Sequence, residues 1–145
     1  MENILVESFR NLAKRHREVI QSQLIKKNVY IGQHRILFKL QENPDMTLTE
    51  LTDALDVSKE SLSVSVRRLE QSGLIRKLAD TKDKRRILIS LTDLGVETSD
   101  ACKTYFNNIN ASMFKNMSQE EKDLLEVLFS KMIQGLEEVD DEKNI

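Results

Sequence analysis

From Ser58 to Ser72 the chain carries small hydroxyl residues and arginines where a surface helix usually carries long Glu/Lys pairs. On a helix, successive residues turn by about 100°. Leu62, Val66 and Leu69 then share the side that faces a core, and Glu60, Val64 and Arg67 lie opposite. Ser61, Ser63 and Arg68 flank that polar side, and Ser58 and Lys59 open the helix. Small residues let a helix sink into the major groove of DNA. A Ser hydroxyl can bond a phosphate or a base edge, Arg can take guanine bidentately, and Val64 could meet a thymine methyl. Glu60 is read as a helix-start carboxylate that suits the helix dipole rather than as a base contact.

A second group follows closely. Lys82, Lys84, Arg85 and Arg86 sit on or beside a fully polar connection, Asp80-Thr81-Lys82-Asp83-Lys84. A basic finger of this kind can reach a minor groove or its phosphates, where Arg reads groove width more than sequence. Asp83 is out of place against DNA. Two residues from Arg85, it could hold that guanidinium in one orientation by an ion pair.

The charge distribution supports this pairing. From Ser58 to Ser90 there are nine Lys/Arg and four Asp/Glu, a local charge of +5, while the rest of the chain carries −7. Such asymmetry marks an anion-binding face on an acidic body.

The elements that must position these groups are legible from periodicity. Residues 2 to 27 read as a long helix, with Ile4, Leu5, Phe9, Leu12, Ala13, His16, Ile20 and Leu24 at spacings of mostly three and four. Gly32 breaks it, and Gln33 to Gln41 is a short helix that ends at the turn Glu42-Asn43-Pro44-Asp45. Thr47-Leu48-Thr49-Glu50 is a capping box for a helix to about Leu55. Ser58 caps the next helix, which Gly73 ends, so the two form a helix-turn-helix. Leu74 to Ala79 and Arg85 to Leu91 then read as a hairpin, with Ile87, Ile89 and Leu91 alternating against Arg86, Leu88 and Ser90. Thr92 caps a helix to about Phe114 with Leu94, Ala101, Tyr105, Ile109 and Met113 on one side. Ser118-Gln119-Glu120-Glu121 is a second capping box, for a helix bearing Leu124, Leu125, Leu128, Met132, Ile133 and Leu136. The acidic tail from Glu137 to Ile145 is expected to fray. The order is α-α-α-α-β-β-α-α: a mainly α winged helix-turn-helix between long terminal helices.

Composition narrows the alternatives. A chain of 145 residues suits one domain and can bury a core without a staple. One cysteine excludes an internal disulfide, and with only two histidines there is no zinc-ligand set. No cofactor is expected, and no enzyme: there is no Gly-rich phosphate loop and no Ser/His/Asp or Cys/His constellation. Glu2 and Glu7 are foreign to a signal peptide, and the apolar runs are too short to span a membrane, so a cytoplasmic protein without a membrane partner is the expectation.

The runs Thr47–Ser58 (TLTELTDALDVS), Leu69–Ile75 (LEQSGLI), Asp83-Lys-Arg85 and Ser90–Gly95 (SLTDLG) together resemble the MarR family of bacterial transcription regulators. The resemblance covers nearly the whole chain, and its most specific part is Asp-x-Arg followed at fixed spacing by Ser-Leu-Thr-x-x-Gly. It implies a triangular homodimer that binds a pseudo-palindromic double-stranded DNA and acts as a repressor. The helix from residues 58 to 72 is then the recognition helix, residues 80 to 86 the wing at the minor groove, and Asp83 and Arg85 the wing pair. Residues 1–30 and 96–145 would supply the dimer helices and residues 31–95 the DNA-binding lobe of a single domain. Many members carry Arg or another polar residue where this chain has Val64, which points to more apolar or shape-based readout here. The apolar stripes of residues 2 to 27 and 118 to 138 independently require a partner surface. A two-fold dimer sets recognition helices about 34–36 Å apart.

The same resemblance implies a cleft for a small aromatic or acidic effector. Its candidates here are His16, Tyr30, His34, Arg35 and Phe38, with Phe9 beside them. An Arg with His and aromatics could hold a carboxylate and an apolar ring. Taken singly, Phe9 and Phe38 read as ordinary core. Cys102 reads as a buried, inert thiol; peroxide-sensing relatives keep their cysteine in the first helix, where this chain has none. The competing reading is a winged-helix module that docks an acidic protein partner. Steep salt dependence with duplex DNA separates the two.

Overall fold

Each of the expected helices has a visible start and stop in the computed structural model, which describes residues 1 to 143. Helix α1 spans Glu2–Leu24 and tightens into a 3-10 turn, Ile25–Lys27, before Asn28 adopts a left-handed conformation with φ 58°. The turn that follows is satisfied by glutamine side chains: the Ile31 N–H donates to Gln21 Oε1 at 2.9 Å and the Tyr30 N–H to Gln33 Oε1 at 3.1 Å. Helix α2 is Gln33–Glu42, α3 is Leu48–Leu55 and α4 is Lys59–Gln71. Strands β1 (Ile75–Ala79) and β2 (Ile87–Leu91) form an antiparallel hairpin with Ile75 opposite Leu91 and Ala79 opposite Ile87. Helix α5 is Asp93–Phe114 and α6 is Gln119–Lys143.

Two compact units divide the chain, one from Met1 to Ile109 and one from Asn110 onward. The core lies in the first. Leu24, Val29, Leu37, Leu51, Leu69 and Cys102 are among its fully buried side chains. The Leu62, Val66 and Leu69 face of α4 is buried in it as the helical phase requires. The ends of α4 explain why it stands as a separate rod. The Ser58 hydroxyl accepts from the Ser61 N–H at 3.2 Å, satisfying an orphan donor. At the other end Gly73 (φ +76°) lets its own N–H reach the Glu70 carbonyl and the Leu74 N–H reach the Leu69 carbonyl, both at 3.0 Å. That double bond pattern, with buried Leu69 and Leu74 at its ends, is a Schellman stop.

The hairpin joins the body through main-chain bonds at its root. Met46, before α3, donates to the Ile89 carbonyl at 3.2 Å and accepts from the Ile89 N–H at 2.7 Å. Farther out, Ile87 is 47% exposed. The expected alternation along β2 therefore buries only Ile89 fully, because the hairpin leaves the body before Ile87.

Helix α5 is clamped at its start. The Thr92 hydroxyl donates to the Gly73 carbonyl at 2.6 Å and accepts from the Gly95 N–H at 3.0 Å. A Cβ on Gly95 would overlap the Leu74 carbonyl oxygen and lie 3.2 Å from Leu91 Cδ2. The face of α5 turned to the core is built from Gly95, Thr98, Ser99 and Cys102. Leu94 and Met113, expected on the apolar side, are exposed. Small residues take the core-facing side where, at Gly95, Leu74 and Leu91 leave no room even for a Cβ. Gln41 of α2 ties to α5, accepting from the Ser99 hydroxyl at 2.6 Å and donating to Asp100 at 2.8 Å. Gly95→Ala should therefore destabilise the fold by about 2 kcal/mol, an overpacking cost that outweighs the better helix propensity of Ala. A urea midpoint equal to wild type would show that α5 does not press on Leu74.

In the second unit, the Ser118–Glu121 box opens α6: Glu121 Oε1 accepts from the Ser118 N–H at 3.0 Å, and the Ser118 hydroxyl accepts in return at 3.1 Å. Hydrogen bonding to the carboxyl from the Ser118 N–H, and secondarily from the Ser118 side chain, holds Glu121 below its ordinary pKa. The tail expected to fray from Glu137 is helical as far as Lys143, since no Pro or terminal Gly stops α6 there; Asn144 and Ile145 lie outside the described residues. Leu124, Leu128, Met132, Ile133 and Leu136 are exposed on this helix, and Ile4, Leu5, Phe9 and Leu12 on α1. Phe9, read as core, is 61% exposed. Among the described residues of α1, Ile20 and Leu24 at the helix end are the buried members of its apolar stripe. No described helix is long and apolar enough to cross a membrane.

Candidate nucleic-acid interface

The solvent side of α4 carries Ser58, Lys59, Glu60, Ser61, Val64, Arg67 and Arg68, all exposed, with Ser63 half-buried at the edge. Ser63 is less free than its position suggests, because its hydroxyl donates to the Lys59 carbonyl at 2.7 Å. Ser58 Oγ is likewise taken by the helix cap, which leaves Ser61 as the more available hydroxyl. Val64, 44% exposed, presents an apolar centre between the arginines.

Beside this face stands the wing. Its connection is closed by its own main chain: the Asp80 N–H donates to the Arg86 carbonyl at 2.9 Å and the Arg86 N–H to the Asp83 carbonyl at 3.0 Å. Two aspartates cap it from inside, Asp80 Oδ1 accepting from the Lys82 N–H at 3.0 Å and Asp83 Oδ1 from the Arg85 N–H at 3.1 Å. Asp83 Oδ1 also accepts from Arg85 Nε at 3.3 Å, while the Arg85 side chain stays 93% exposed. The carboxylate thus aims a guanidinium without covering it. Lys82 and Lys84 are exposed beside it.

Arg86 behaves differently from its neighbour. Its Nη2 donates to Glu50 Oε1 on α3 at 2.7 Å, and Nη1 lies 3.7 Å from Asp80 Oδ2. The sequence groups Arg85 and Arg86 together on a basic finger. The structure turns the second back to the body: Arg85 lies within the turn closed by the Arg86 N–H to Asp83 carbonyl bond, while Arg86 leads out of it into β2 and reaches Glu50.

Between α4 and the hairpin lies a cleft of about 390 Å³. Leu48, Val66, Ile87 and Ile89 form its apolar lining, and Ser63, Arg67 and Lys77 its polar part. Lys77 is absent from the sequence-derived set, and only strand register brings it beside Arg67. Gln71, exposed at the end of α4, is also absent from that set. Its helical phase, opposite Leu62, was the signal that could have found it.

The effector candidates do not converge. His34 and Phe38 do meet, with ring centroids 5.6 Å apart, and Phe106 of α5 closes the group at 4.7 Å from His34. Lys103 Nζ stands 5.5 Å from the Phe38 ring. Sequence reasoning missed both Phe106 and Lys103, which lie far along the chain. Burial, and then the neighbouring Arg35 charge, push the His34 pKa down. Its Nδ1 accepts from the Gly32 N–H at 3.2 Å. Arg35 turns away and donates to the Leu55 carbonyl at 3.1 Å, at the end of α3. Tyr30 lines a separate cavity of about 630 Å³ with Lys14, Arg17 and Ile31. His16 lines neither this cavity nor the ring cluster. Cys102 is fully buried, and burial pushes its thiol pKa up, a stronger influence than the opposing Lys27 charge. No group of three metal-ligating side chains occurs among the described residues.

A capped rod with a small-and-arginine face, set beside a hairpin that holds one guanidinium outward, defines a winged helix-turn-helix DNA-binding regulator. The comparisons agree. Residues 29–87 match the MarR family model. The chain is 30% identical over 129 residues to the HTH-type transcriptional repressor YetL of Bacillus subtilis, spanning 87% of this chain and 74% of that one. It is similar to the crystal structure of YusO from Bacillus subtilis, with TM-score 0.76, 25% identity, and 92% and 94% of the two chains covered. A mutant of Escherichia coli MarR complexed with operator DNA shares the fold, with TM-score 0.71, 22% identity, and 88% and 92% covered. The chain belongs to the MarR family; it is a transcription regulator and not an enzyme.

Proposed function

We propose that the protein is a homodimeric repressor that reads a pseudo-palindromic operator, with α4 in the major groove and the wing at the flanking minor groove. The observation that carries this reading is the pairing of the exposed α4 face with an outward Arg85 aimed by Asp83. Ser61, Val64, Arg67, Arg68 and Gln71 are the base-facing set. Lys59, Lys77, Lys82, Lys84 and Arg85 supply phosphate and minor-groove contacts. Residues 31–95 form the DNA-binding lobe, and residues 1–30 and 96–145 the dimer helices. The exposed stripes of α1 and α6 support that division, because apolar surface of this extent is covered in working proteins. The repressor sign is that of the similar repressor YetL, and the cytoplasm, where a bacterial operator lies, is the site of action. A small aromatic acid is the fitting effector class, its ring on the His34–Phe38–Phe106 cluster and its carboxylate toward Lys103.

Selection of random duplexes at two salt concentrations tests this. An enriched pseudo-palindrome with half-sites about one helical turn apart is the expected result. Absence of enrichment at both salts would overturn it and favour the acidic protein partner. Arg67→Ala is expected to relax preference at one base position per half-site by about 1–3 kcal/mol while leaving the fold intact. Uniform weakening on all sequences would instead make Arg67 a phosphate contact.

A further inference from the structure

Arg86 bridges the wing and the helix-turn-helix body. Its main chain closes the wing connection, as an acceptor from the Asp80 N–H and a donor to the Asp83 carbonyl. Its side chain runs the other way, to Glu50 at 2.7 Å. Glu50 is already engaged: its Oε2 accepts from the Thr47 N–H at 3.1 Å, and its own N–H donates to Thr47 Oγ1 at 3.1 Å. The carboxylate is therefore fixed by the α3 cap before the arginine arrives. Asp80 holds the guanidinium from the wing side at 3.7 Å, and its other oxygen accepts from the Lys82 N–H. The chain of contacts runs from the helix-turn-helix cap, through Glu50 and Arg86, into the tip of the wing.

Position gives this chain its use. The main-chain tie between hairpin and α3 ends at Met46 and Ile89, and Ile87 beyond it is half exposed. A two-stranded ribbon held only at its root can swing. The Glu50–Arg86 pair is the side-chain tie beyond that root. Half-exposed ion pairs add little to stability, so a positional role explains the arrangement better than a stabilising one.

We propose that Glu50, Arg86 and Asp80 form a strut that sets the angle of the wing against α4, with Arg86 a positioning residue for operator binding. This rests on the DNA-binding reading above. A held wing delivers Arg85 to the minor groove already ordered; a loose one must be ordered on binding.

Charge gives the test a sign. Glu50→Gln removes a negative charge near a polyanion, which by Coulomb attraction alone tightens DNA binding. Gln at this position also keeps the capping box. The strut requires the opposite, a loss of about fivefold in affinity, the size expected when one restrained segment becomes free. Arg86→Gln should lose the same amount, and the double variant no more than either single one. Arg86→Lys, which keeps the charge but cannot span two carboxylates, should behave like Arg86→Gln. Hydroxyl-radical protection in the minor groove flanking each half-site should weaken in all of them, while major-groove protection and the unfolding midpoint stay as in wild type. Tighter or unchanged binding by Glu50→Gln overturns the proposal, as does an Arg86→Lys variant that binds like wild type. Wild-type protein that binds no duplex would instead overturn the DNA-binding reading, so the two failures are distinguishable.

Discussion

Leu128→Lys should abolish high-affinity operator binding while leaving each subunit's DNA-binding lobe intact. Leu128 is exposed on α6 of the single chain, as are Leu124, Met132 and Leu136. If that stripe faced water, Leu→Lys would change stability by less than about 0.5 kcal/mol. If a second copy covers it, the substitution buries an unpaired ammonium twice in a symmetric interface and breaks it. Two tethered lobes gain about 10²–10⁴ in avidity over one, so a monomeric variant should bind a two-half-site duplex at least about 100-fold more weakly. It should bind a single half-site about as well as wild type does. Sedimentation equilibrium and titration of both duplexes read the outcome. A variant that stays dimeric would remove α6 from the interface.

Arg85→Ala should weaken binding about 10–100-fold on every sequence and leave the oligomeric state and the fold unchanged. The side chain is 93% exposed and its one ion pair, to Asp83, spans 3.3 Å. A pair this exposed adds about 0–1 kcal/mol to stability, so the melting temperature should hardly move. On the proposed reading its worth lies in the complex, where a guanidinium aimed in advance would enter a narrow, negative minor groove. The slope of log affinity against log salt should fall by about one. Asp83→Asn keeps the Asx-type turn yet loses the charge that aims Arg85, so a smaller loss in the same direction is expected. Unchanged affinity for Arg85→Ala would remove the wing tip from the interface.

Much of this interface was legible in the order of residues. The caps at Thr47, Ser58, Thr92 and Ser118 announce four helix starts because each pairs a side-chain oxygen with the backbone donor three residues on. The face of α4 follows from the 100° phase alone, and Gln71 was available by the same count. Asp83 and Arg85 are two apart, so their pairing is a local matter. What escaped lies far apart along the chain. Lys77 reaches the α4 cleft only through its register opposite Ile89. Phe106 and Lys103 join His34 and Phe38 only because α5 packs against α2 through Ser99 and Gln41. Arg35, plausible beside those rings, spends its guanidinium on the Leu55 carbonyl instead.

The sequence by itself determined the order of elements, the polar face of α4, the basic wing and the family, since these depend on caps, periodicity and short spacings. Tertiary structure decided which of two adjacent arginines faces outward and which is tied to Glu50. It also decided which side of α5 meets the core and which apolar stripes the chain leaves uncovered. Those outcomes depend on contacts between residues tens of positions apart, whose energies arise only when the backbone has brought them within a few ångströms.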